Sequence, residues 1–358
     1  VRDLRRNWRR FGLVGLVVGL VAVLSTVLSA LATGLVSDGI SGLRGLPLTH
    51  LAFEPGSGAV FTRSTLDARA LEAWRATPGV EASPLGVAFV NAAPTTTGPR
   101  LDLALWGVPA DSFLVARPEA RAALSGPPGL VLSDELEGQV EVGDRFTVAG
   151  SDLELPVLGF TYSGSYGHVP IAFTSLATWQ QIHYGSDARG RFSAVALRFD
   201  GPVDTAAVDR AAGTATRSKV SAYSGSPGFS AETATMTMIR SFLVVISALI
   251  VGAFFTIWTV QRTRQIGLMK ALGASNAYIV RDGVGQLALV VVFFTVVGSA
   301  AGALLAGVAG GGDVPIELTL TGTLTTGVIL AVVGVLGSVV ALRRITRVEP
   351  IVALGVEP

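Results

Sequence analysis

Four stretches of the chain run almost unbroken in apolar residues: about Phe11 to Leu35, Ser241 to Val260, Gly283 to Gly307 and Leu318 to Leu342. A helix that crosses the hydrocarbon core needs ~20 such residues, so the pattern predicts four transmembrane helices. Between the first and second, about two hundred residues change character. Short alternating runs predict strands at Ala59–Thr62, Leu85–Ala92, Leu101–Gly107, Gly129–Ser133, Arg145–Ala149, Leu153–Phe160, Pro170–Thr174 and Ala194–Phe199. Helical spacing predicts helices at Asp67–Ala76, Leu176–His183 and Val203–Gly213, with shorter helices or turns at Ala110–Val115 and Pro118–Leu124. Strands interleaved with short helices predict layers of sheet and helix rather than a β-sandwich. The expected fold is an α-helical membrane protein with a large extracytoplasmic mixed α/β domain inserted between helices 1 and 2. Its expected segments are an N-terminus at 1–10, a first helix at 11–35, the domain at 36–239 and a second helix at 240–261. A loop at 262–282, a third helix at 283–309, a loop at 310–317, a fourth helix at 318–342 and a tail at 343–358 follow.

Charge orients this plan. The N-terminus, the 262–282 loop and the tail hold twelve Lys/Arg against four acids, whereas the large domain holds 14 basic and 20 acidic residues. Basic loops stay inside, so both termini and the middle loop are expected in the cytoplasm and the large domain outside. Ala30-Leu31-Ala32 has the shape of a signal-peptidase site, but the apolar run before it exceeds the ~7–15 residues of a signal core. An uncleaved first helix is the expectation. Composition agrees with a membrane protein: 50% hydrophobic and 15% charged residues, against ~25% charged in soluble domains. A net charge of +1 offers no electrostatic footprint for nucleic acid.

Candidate chemistry is sparse. The chain has no cysteine and three histidines, His50, His168 and His183, far apart in sequence and expected to be ordinary surface or packed residues. No Gly-x-Ser-x-Gly, His-Glu-x-x-His or Gly-x4-Gly-Lys-Ser/Thr motif occurs. No catalytic or metal residue is therefore assigned, and any ATPase must be another chain. Asp134, Glu135 and Glu137 read as a solvated helix start. Small residues four apart at Gly15/Gly19 allow close helix approach and are assigned to dimer packing, with packing inside the chain the alternative.

The 262–282 loop is more specific. Ile266, Met269 and Leu272 share one face of a short helix, Gly273 can end it and Ser275 can cap the next. Such a helix is either a docking surface for a partner or a segment lying on the bilayer. Arg264-Gln265-Ile266-Gly267-Leu268-Met269-Lys270-Ala271-Leu272-Gly273-Ala274-Ser275 resembles the coupling stretch of MacB/FtsX-type ABC transporter permeases, with Gln265 where that family usually has Glu. Leu130–Gly143 with Asp144 resembles an outer-domain motif of the same family, although Glu137 and Val140 depart from it. Arg347-Val348-Glu349-Pro350-Ile351-Val352-Ala353-Leu354 resembles its cytoplasmic tail. Pro227–Met236 leading to Arg240, Ala253–Arg262, and Tyr166–Pro170 with Thr174-Ser175-Leu176 resemble the DevC/HrtB branch, whose best-understood members export haem.

The resemblance implies a permease without its own nucleotide site, in a bacterial cytoplasmic membrane. Two copies would pair with each other and with two ATPase subunits carrying ATP-Mg. Arg264, Gln265, Ile266, Gly267, Met269, Lys270, Leu272 and Gly273 would couple to the ATPase. The cargo would be a hydrophobic or amphipathic molecule, haem among the candidates, extruded by mechanical transmission. Glu54, Phe53, Glu232, Met236 and Met238 are the expected substrate residues, since carboxylates and thioethers can reach an iron axially. The alternative is an FtsX-like membrane protein that transports nothing and signals to an extracytoplasmic cell-wall hydrolase.

Overall fold

A computed structural model describes residues 8–95, 98–151, 153–261, 268–269, 272–310 and 315–345. The chain divides into two compact units, Val36–Glu232 and Val1–Leu35 with Thr233–Pro358.

The first unit is built on ten strands: β1 His50–Phe53, β2 Val80–Pro94, β3 Leu101–Val108, β4 Leu130–Ser133, β5 Arg145–Val148, β6 Leu153–Thr161, β7 Ser165–Tyr166, β8 Val169–Ser175, β9 Ala194–Phe199 and β10 Ala215–Ser218. Their order is β10-β1-β9-β2-β3-β8-β4-β6-β5, with β7 paired to β8. The long β2 decides the shape. Its first half pairs β9, its second half pairs β3, and Ala92–Pro94 pair β5. Six strands therefore close on themselves from β2 through β3, β8, β4, β6 and β5 back to β2, leaving no free edge there. β3–β8 and β4–β6 run parallel.

Helices cover this sheet. Among them are α2 Ser41–Gly45, α3 Ala68–Arg75, α4 Pro118–Leu124, α5 Leu176–Tyr184, α6 Thr205–Ala212 and α7 Lys219–Ala222, following α1 Trp8–Asp38 at the start of the chain. Asp67 caps α3 by accepting from the amides of Arg69 and Ala70, the geometry its acceptor side chain favours. Trp179 on α5 packs on β2 and β3: a Cβ at Gly86 or Gly107 would come within 2.3 Å of its side chain. Only glycine leaves room for that ring. Three apolar clusters form around Trp106, Trp179 and Trp74 respectively.

The expected strand at Ala59–Thr62 is instead a turn into a single 3-10 turn, Phe61–Arg63. Ala59 adopts φ +64, which no extended strand accommodates, and Phe61 drops into the core beside Phe53. The short strands β1, β7 and β10 are not among those expected from the sequence.

The second unit holds long helices: α8 Phe229–Gln261 from Thr233 onward, α9 Asn276–Ala309 and α10 Leu320–Ile345, together with most of α1. α8 begins at Phe229 rather than at the expected 240, because its polar first turns continue the helix instead of ending it. Among the described residues, Gly15–Asp38, Phe229–Ile250 and Gly283–Ala309 are long and apolar enough to cross a membrane. The apolar stretch of α10, Leu320–Val333, is shorter.

Small residues organise this unit. The ring of Phe294 on α9 fills the space where a Cβ of Gly15 would stand, and a Cβ on Gly19 would lie 3.6 Å from the Phe294 carbonyl oxygen. Gly298 meets the Gly19 carbonyl, and Gly302 meets Val23 and Thr26. Within the chain, Gly15 and Gly19 pack toward α9, the intramolecular alternative to a dimer contact for closely approached helices. α10 joins through Thr326, whose hydroxyl bonds Ser29, and the Glu317 amide donates to the Ala30 carbonyl at 3.2 Å.

Candidate functional site

The most organised polar cluster in the first unit is a clamp around His168. β7 and β8 pair with Tyr166 opposite Val169, leaving Gly167-His168 as a two-residue hairpin loop. Both residues are left-handed, at φ +62 and +63, as a type I′ turn requires. Glycine meets that demand freely, and histidine is among the few other residues that tolerate it. The Gly167 amide donates to the Gly39 carbonyl at 2.9 Å, just past α1. Any Cβ on Gly167 would press on Pro227, just before α8.

The turn aims the imidazole at two carboxylates. His168 Nδ1 lies 2.9 Å from Asp38 Oδ2, and Nε2 lies 2.9 Å from Glu232 Oε1. Asp38 is the last residue of α1, and Glu232 stands in the first turn of α8. Burial disfavours the imidazolium, but the two hydrogen bonds and the two negative charges outweigh it. The net effect holds His168 above the ordinary histidine range. Only the doubly protonated ring can donate to both acids at once. The Ser226 hydroxyl adds a 2.9 Å bond to the Gly39 carbonyl, so the two chain connections of this unit are stitched together at one place.

The expected substrate residues disperse. Phe53 is buried in the core against Phe61 and cannot shield a ligand. Glu54 accepts from the Thr65 amide at 3.0 Å and lines a polar cavity of about 510 Å³ with Asp67, Arg69, Arg189 and Arg191. Glu232 belongs to the clamp and shares no cavity or contact with Glu54 among the described residues. Met236 is partly buried and Met238 is 55% exposed; two apart on one helix, they point to different faces. The clamp itself escapes sequence reading because His168 and Asp38 lie 130 positions apart. The one local sign of it is a Gly-His pair between strand-like residues.

The other histidines are packed: His50 stacks on Phe199 and His183 on Trp179, and burial lowers both. Asp134 is held by both guanidinium amines of Arg117. Glu135 accepts from the Ser165 hydroxyl, and burial raises it. Arg264, Gln265, Ile266, Gly267 and Lys270 lie outside the described residues, as does the tail motif. Leu268 and Met269 are helical, with Leu268 56% and Leu272 81% exposed. Gly273 follows at φ +92, and Ser275 caps α9 by accepting from the Tyr278 amide.

Residues 237–350 match the family described as FtsX-like permease C-terminal. Curated relatives include HrtB proteins named for a hemin transport system permease. That of Staphylococcus epidermidis is 21% identical over 212 residues, 59% of each chain. That of Staphylococcus haemolyticus is 23% identical over 238 residues, 63% of each chain. Uncharacterized ABC transporter permeases of Mycobacterium tuberculosis and Mycobacterium bovis are 28% identical over 120 residues, 34% of each chain. The extracellular domain of the noncanonic ABC-type transporter YknZ superposes with a TM-score of 0.34 at 13% identity, covering 48% of this chain and 98% of that one. The chain carries helices long and apolar enough to cross a membrane, and its 237–350 stretch is similar to FtsX-like permeases. It is similar to HrtB proteins as well, and it spans about three-fifths of the length of the HrtB relatives it matches.

Proposed function

We propose that this chain is the membrane subunit of an ABC exporter driven by a separate ATPase, extruding a hydrophobic or amphipathic molecule, with haem one candidate. The observation that carries the reading is the FtsX-like match over 237–350. It encloses the loop in which Leu268 and Leu272 stand exposed. Apolar residues uncovered by the rest of the chain, next to a glycine stop and a new helix cap, suit a docking surface. In this reading α10 is a fourth span, both termini and the 262–282 loop face the cytoplasm, and two permeases bind two ATPases. ATP binding moves the coupling loop, and α8, continuous from Gln261 to Phe229, carries the movement to the His168 clamp. The energy enters as nucleotide binding that favours one of two states.

The test is purification of the tagged full chain from its native membrane in mild detergent, with bound proteins identified by mass spectrometry. A stoichiometric ABC ATPase is expected, lost in Leu268→Ser/Leu272→Ser while the permease stays folded. Recovery of no ATPase from wild type, even after crosslinking at Lys270, would sink the proposal. ATPase recovery with hydrolase binding and no substrate-stimulated hydrolysis of ATP would select the FtsX-like signalling role instead.

A further inference from the structure

Arg240 carries a full charge where the polar first turns of α8 give way to its apolar stretch, and its guanidinium turns toward α1. Nη2 donates to the Ser29 carbonyl at 3.0 Å and to the Thr33 hydroxyl at 3.4 Å. Ser29 lies about 9 Å along α1 from Leu35, within the apolar span Gly15–Asp38. No carboxylate among the described residues pairs with Arg240, and its remaining N–H donors meet no protein acceptor there. A charged group in a span is costly unless something matches it.

Beside it is a crevice of about 60 Å³ lined by Ser25, Arg240, Leu243, Val244, Thr326, Ile329 and Leu330. Ser25 is 5% exposed, and its hydroxyl is buried without a hydrogen-bond partner. The volume is that of about two waters, enough for a carboxylate or one phosphate head but not for a ring. Leu243, Val244, Ile329 and Leu330 make the rest of the lining apolar, as an attached hydrocarbon chain would require. We propose that this crevice binds the anionic head of an amphiphile, with Arg240 as its charge partner and Ser25 as a further donor. Calling that amphiphile cargo rests on the exporter reading; the binding site itself does not.

The experiment uses the full chain in phosphatidylcholine nanodiscs without any ATPase, and measures binding of radiolabelled dodecanoate against empty nanodiscs. Saturable binding at one site per chain is expected, with competition by dodecyl phosphate but not by dodecanol, dodecylamine or acetate. Arg240→Gln should weaken binding about ten-fold or more and Ser25→Ala about three-fold, as loss of charge-assisted and neutral hydrogen bonds implies. Arg240→Lys should retain part of the affinity, which separates recognition of the anion from collapse of the fold. Competition when phosphatidylglycerol replaces part of the bilayer would identify a lipid headgroup as the resident anion and supports the site. Equal binding by Arg240→Gln, or dodecanol binding as tightly as dodecanoate, would overturn it. Because no ATPase is present, failure here leaves the exporter reading standing, and failure of the pull-down leaves this site standing.

Discussion

His168 can serve two acids only as a cation, which gives the clamp a definite pH dependence. Its folded pKa is raised, so its stabilisation is complete below the ordinary histidine value, ~6.5, and is lost as pH rises through the folded value. Titration of His168 by NMR should give a pKa above that of a free histidine, lowered by either Asp38→Asn or Glu232→Gln. A wild-type value below the ordinary one would contradict the geometry. All three side chains are a quarter to a third exposed, so solvent screens the pair energies and the shift is the more telling readout. Gly225 supplies a second residue-scale prediction. A Cβ there would come within 1.9 Å of the Ala59 carbonyl oxygen, a backbone atom that cannot swing aside. Gly225→Ala should cost about 1–3 kcal/mol in denaturant unfolding, whereas Gly201→Ala, with open space around it, should be neutral within about 0.5 kcal/mol.

At the level of elements, the α1–α9 seam depends on glycines that face one another. Gly298→Leu or Gly302→Leu should force the helices apart and lower the melting temperature of the purified chain, because the facing atoms are the Gly19 and Val23 carbonyls. Gly12→Ala, which meets nothing, should leave it unchanged; equal losses for all three would remove the seam argument. The glycine spacing on α1 is legible in sequence, but its partner is not. Spacing records that a helix can be approached closely, while only packing shows that Phe294 and Gly298 of the same chain do so. The start of α8 was hidden for a related reason: Glu232, Thr233 and Thr235 read as the end of a soluble domain, yet backbone hydrogen bonding continues through them.

For the whole molecule, the hydrophobic pattern separates two solvents. Apolar stretches of membrane length form one unit, and the alternating region forms a closed sheet in the other. Most strand and helix positions in that region follow from local alternation and caps, as Asp67 and α3 illustrate. The closure of β5 onto β2 does not, since it joins Ala92 to Val148 by a pairing that no local pattern encodes. The consequence is testable: the amides of Thr95 and Ala149, which donate to the Arg145 and Asn91 carbonyls at 2.9 Å across that seam, should exchange more slowly than unpaired amides of the domain. Fast exchange at both would mean an open sheet.

The amino-acid sequence alone determined the division into apolar helices and an α/β region, the capping of α9, and the loop whose family likeness the 237–350 match supports. These are local properties, written in residues within one or two turns of each other. Tertiary structure decided which distant groups meet: His168 with Asp38 and Glu232, Arg240 with Ser29, Gly15 with Phe294. It also separated Glu54 from Glu232 and buried Phe53. Chemical type announces what a side chain can do, but folding sets its distance from a partner, and contact energies fall away within a few ångströms.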